Sequence, residues 1–72
     1  MNDDTTNKAI AANLEALHAL LSDVIVRVSE ATEYMAHGNR NAAIGSMPGV
    51  GEFLEQALAL YRAAVTLHRA GR

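Results

Sequence analysis

The sequence predicts an all-α protein, an antiparallel two-helix hairpin that dimerises into a four-helix bundle. Three observations predict it. Apolar residues recur at helical spacing through two long segments. Four of the five glycines and the single proline fall in one stretch between them, "HGNRNAAIGSMPGVGE", residues 37–52. Each segment also carries more apolar residues around its circumference than one neighbouring helix covers.

The first segment predicts a helix over about 6–37. Ile10, Leu14, Leu17, Leu21, Val24, Val28, Ala31 and Met35 follow one another at alternating spacings of four and three, a heptad seam. The flanking positions hold Ala11, Asn13, His18, Leu20, Ile25, Arg27, Thr32 and Tyr34, half of them apolar or aromatic. Thr5 or Thr6 is the expected N-cap, Asp23 and Arg27 form a favourable i, i+4 pair, and Gly38 supplies the left-handed residue that ends the helix.

An ordered, partly helical corner is expected over 38–48. Asn39 or Asn41 caps a short turn through Ala42, Ala43 and Ile44, closed by Gly45, and Pro48 pre-sets the start of the next helix with Ser46 or Met47 near its cap. Ile44, Met47 and Val50 are expected to lid one end of the core. The exposed trio Asn39, Arg40 and Asn41 is the candidate partner-binding corner, because loops on rigid scaffolds often carry recognition.

The last segment predicts a helix over about 49–70, stopped by Gly71. It carries two adjacent seams, Phe53, Ala57, Leu60, Ala64, Leu67 and Leu54, Leu58, Tyr61, Val65, His68. If the corner reverses the chain symmetrically, facing residues have numbers summing to about 86, so that Leu21 meets Val65 and Ile25 meets Tyr61. One seam of each helix, with Leu17, Leu20, Leu60 and Leu67, is then left in water. Covering it favours a homodimer, with a tetramer or a heteromeric partner behind it. The expected oligomer interface comprises Leu14, Leu17, Leu20, Leu21, Val24, Ile25, Val28, Phe53, Leu54, Leu60, Tyr61 and Leu67.

Composition narrows the function. At 72 residues the chain is a single domain, residues 1–72, whose lone core is marginal. It has no cysteine, which removes disulfides, thiolate zinc sites and cysteine nucleophiles. The polar, acidic start "MNDDTTNKA" is the reverse of a secretory signal, and no uninterrupted apolar run approaches the roughly 18 residues of a membrane span. A cytoplasmic protein without membrane association is expected. The net charge is −2, with acids crowding the first segment's start and bases the second's end, as helix dipoles favour.

No enzyme is expected. Ser22, Ser29 and Ser46 have no His–Asp arrangement at suggestive spacing, and the glycine-rich corner lacks the lysine and the order of a phosphate loop. His18 and His68 sum to 86 and, with Glu15, have the donor types for zinc, copper or nickel. The plainer reading is structural histidines, so neither metal nor cofactor is expected. The stripe Arg62, Arg69, Arg72 raises nucleic-acid binding as the alternative. The expected architecture is similar to that of Rop-type RNA-binding regulators, which are two-helix dimers, and that likeness is one of architecture alone. Glu52 and Glu55 share the stripe and no aromatic is placed for base stacking, so nucleic acid is the weaker partner. The expected function is protein–protein contact, as an adaptor, inhibitor or regulator of a larger bacterial or phage complex.

Overall fold

The computed structural model describes residues 3–71 and is helical throughout, with α1 over Asp3–Ala36, α2 over Arg40–Gly45 and α3 over Val50–Ala70. α1 starts ahead of Thr5 and Thr6 rather than at them. Acidic residues in a first turn suit the helix dipole, and Asp4 pairs with Lys8 across one turn at 3.3 Å.

Gly38 ends α1 as expected. It adopts φ 74°, its N–H donates to Met35 O at 2.9 Å, and the Asn39 N–H donates to Tyr34 O at 2.8 Å. These two bonds make a Schellman motif, which needs a left-handed residue at that position. Asn39 then caps α2, its Oδ1 accepting from the Ala42 N–H at 3.1 Å. α3 departs from the expected cap. Gly49, at φ 90°, occupies the N-cap with no side-chain bond, and Ser46 caps the end of α2 instead. Glu52 lies in the first turn of α3 and His68 and Arg69 in its last, each favourable to the dipole.

α3 lies along α1 in the opposite direction. A Cβ on Gly71 would come 3.0 Å from the Thr6 methyl. Towards the corner, the Arg27 guanidinium carbon sits 5.3 Å from the centroid of the Phe53 ring. Facing numbers therefore sum to about 77–80, not 86. The chain reverses at Gly38, and α2 already packs on the last turns of α1, beside Ala31 and Met35.

The seam between the two long helices is Thr6, Ile10, Asn13, Leu17, Leu20, Val24, Arg27 and Ala31 on α1, facing Val50, Phe53, Ala57, Leu60, Ala64 and Leu67 on α3 and Gly71 at its C-cap. All of these are buried or half-buried. On α1 this is the expected heptad rotated by one position, with Asn13, Leu20 and Arg27 replacing Leu14, Leu21 and Val28. On α3 it is the seam that contains Ala57 and Ala64. The reason is steric: small residues on that side let the helix axes approach, so the bulky row Leu54, Leu58 and Tyr61 turns outward. The polar seam positions are satisfied, since Asn13 Nδ2 donates to Ala9 O at 2.9 Å and Arg27 Nη1 to Pro48 O at 3.2 Å.

Among the described residues the buried ones are Ala43, Val50, Ala57 and Ala64, and no large side chain is fully buried. Ala43 takes the position expected of Ile44, which is 68% exposed. The molecule is a rod of 56 × 15 × 13 Å with a radius of gyration of 16.6 Å, against about 11 Å for a compact domain of this length. Its accessible surface of 5367 Å² exceeds by roughly 1,000 Å² the value usual for a monomer of 7.7 kDa.

Candidate functional site

Most of the large exposed apolar side chains gather on one side. Helical geometry sets Leu14, Leu21, Ile25, Val28 and Met35 along α1 about 60–115° from the seam. It sets Leu54, Leu58, Tyr61 and Val65 along α3 at the same angle. The helices run in opposite directions, so both rows fall on the same side of the pair. They form one apolar face, in which Ile25 is 65% exposed, Tyr61 55% and Leu14 50%. Towards the corner the face is hollowed: Val28, Met35, Ile44 and Met47 line an apolar depression of about 280 Å³, with Ala31, Thr32 and Ala43 at its floor and rim.

The reverse side differs in kind. The same geometry places Ala9, Ala16, Asp23 and Glu30 of α1 there with Gln56, Ala63 and Ala70 of α3. One side carries Leu, Ile, Val and Tyr, and the other alanine and polar residues, with Tyr34 one turn beyond Glu30.

The residues expected at an oligomer interface divide between two places. Leu14, Leu21, Ile25, Val28, Leu54 and Tyr61 lie on the apolar face. Leu17, Leu20, Val24, Phe53, Leu60 and Leu67 lie in the α1–α3 seam. The expected pairings Leu21–Val65 and Ile25–Tyr61 are thus corrected, and the set expected in water is the set that is packed. The depression at the corner was not anticipated; Ile44 beside Met47 was its signal, hidden by the expectation that both cover the core.

The other candidates are scattered. In the observed register His18 is level with residues 59–62, so His68 lies six to nine residues further along, roughly 9–14 Å. Among the described residues no group of three or more His, Cys, Asp or Glu side chains could hold a metal ion. His37 Nδ1 is 2.8 Å from Glu33 O, and these residues edge a hollow of about 230 Å³ with Glu30 and Tyr34. Arg40 and Asn41 are exposed beside the capping Asn39. Arg62 and Arg69 are exposed on the side of α3 away from α1, in line with Glu55, and Arg72 lies outside the described residues.

α1 also bears on location. From Asp4 to Ala36 it is long and apolar enough to cross a membrane by length and composition. The expectation drawn from uninterrupted runs missed this, because an average tolerates the polar residues that break each run. No family profile, no characterised protein and no solved structure matches this chain.

Proposed function

We propose that the protein is a self-associating helical hairpin that dimerises through its apolar face into a four-helix bundle and acts through protein–protein contacts. The observation that carries this reading is the continuous exposed row of Leu14, Leu21, Ile25 and Val28 beside Leu54, Leu58 and Tyr61. Soluble monomers rarely leave so large a patch in water. The surface excess of roughly 1,000 Å² is close to the ~800 Å² that each partner buries in a standard interface. Burial of that area at roughly 25 cal/mol per Å² is worth many kcal/mol before association costs, comparable with the whole stability of a small domain. One apolar side per molecule favours closure at two copies, since face-to-face packing uses the side up.

A second reading, a membrane-associated α1, is favoured by its hydropathy. Glu15 and Asp23 weigh against it, each costing about 2.5–3.5 kcal/mol near the centre of a span where a Leu, Ile or Val returns only about 0.3–0.6. Nucleic-acid binding finds less support, because Glu55, one heptad before Arg62, places an opposite charge on the same line as Arg62 and Arg69.

Light scattering coupled to size exclusion at micromolar concentration tests the proposal. Twice the chain mass is expected, and a compact monomer with its leucines in water overturns it. Flotation with lipid vesicles separates the second reading, which requires co-flotation where the bundle requires none.

A further inference from the structure

We infer that the second copy docks antiparallel to the first, about a two-fold axis beside Ile25, with its Tyr61 and Leu58 filling the apolar depression at the corner. The inference rests on the dimer proposed above and concerns how its faces meet. Two observations point the same way.

The first is the spacing along α1. Leu14 and Met35, and likewise Leu21 and Val28, straddle a midpoint between Val24 and Ile25. A row that reads alike from both ends pairs with its own reversed copy: Leu14 on Met35, Leu21 on Val28, Ile25 on Ile25. An isologous interface requires this self-complementarity.

The second is the depression lined by Val28, Met35, Ile44 and Met47. Tyr61, 55% exposed, stands level with residues 16–19 of α1. Reflection through the midpoint carries it to the level of residues 30–33, opposite the hollow. The alternative two-fold, along the rod, stacks like level on like level and sets hollow against hollow. The void it encloses is a packing defect of the kind protein interiors avoid.

The chain has no cysteine, so single cysteines report the arrangement directly. With Ile25→Cys, mild oxidation of the native protein is expected to give a covalent dimer, while an equimolar mixture of Ile25→Cys and Leu54→Cys gives little Ile25–Leu54 product. Spin labels on Asn41→Cys are expected roughly 30–40 Å apart across the dimer, from 1.5 Å of rise per residue. A dimer in which position 25 links to position 54, with the labels within roughly 20 Å, overturns the antiparallel arrangement and leaves the dimer standing. A monomer by light scattering overturns the dimer as well.

Discussion

Arg27 and Phe53 bind the two long helices next to the corner: the guanidinium carbon stands 5.3 Å from the ring centroid, and Nη1 of the same arginine donates to Pro48 O at 3.2 Å. An arginine at a seam position breaks the apolar rule, yet here its head closes the gap between α1 and the segment entering α3. A cation–π contact is worth about 0.5–1 kcal/mol at a partly exposed site, and a hydrogen bond about 0.5–1.5. Arg27→Ala is therefore expected to lower stability by about 1–2 kcal/mol in urea unfolding at fixed protein concentration. No change in midpoint would mean that the contact is idle.

The glycines divide into two groups. Gly38 and Gly49 have φ of 74° and 90°, and alanine there is expected to destabilise by about 1 kcal/mol despite open space for its methyl group. Gly45 and Gly51 lie in helices at ordinary φ with nothing within 4 Å of a Cβ. Alanine at either is expected to raise stability by about 0.4–1 kcal/mol. Thermal melts of the four variants check the contrast.

Close approach of α3 to α1 depends on Ala57 and Ala64, both buried. Leucine at either overpacks the seam and is expected to cost about 1–3 kcal/mol. Ala59→Leu, at an exposed position of the same helix, is expected to change stability by less than about 0.5 kcal/mol. Equal effects at 57 and 59 would contradict the seam.

Much of this was legible in the chain. The helices, the stop at Gly38 and the Asn39 cap follow from local chemistry, where a residue's own geometry decides. Rotation of the seam does not. By apolar count Leu14 and Val28 outrank Asn13 and Arg27 as seam residues, and only the alanines of α3, with the bonds from Asn13 to Ala9 and from Arg27 to Pro48, reverse that ranking. Register differs for a related reason: a symmetric corner puts the reversal near residue 43, whereas α2 folds back on α1 and moves it to Gly38. The swapped seam and the register together separated His18 from His68 and turned the expected exposed set inward.

A register summing to 77 at the open end is testable without assembly. Thr6→Cys with Gly71→Cys is expected to form an intrachain disulfide under mild oxidation, given the 3.0 Å approach of a Cβ at 71 to the Thr6 methyl. His18→Cys with His68→Cys, six to nine residues out of step, is expected to form none. The reverse outcome would restore the symmetric corner.

Charge placed on the apolar face separates assembly from folding. Leu21→Glu is expected to shift the sedimenting species towards the monomer and lower the melting temperature in a concentration-dependent way. Val26→Glu, also exposed but on another side of α1, is expected to leave the assembly unchanged. An unaltered mass for Leu21→Glu would mean the face is not where copies meet.

Reversal at Gly38 also orders the contacts in time. Every pairing between the long helices links residues whose separation along the chain grows steadily from the turn outward, from Arg27 with Phe53 to Thr6 with Gly71. Closing the small loops costs least entropy, so the molecule zips from the bend towards its two tips and unzips from the tips first. Amide exchange should follow this gradient, slowest near Val24 and Ala57 and fastest beside Thr6 and Ala70.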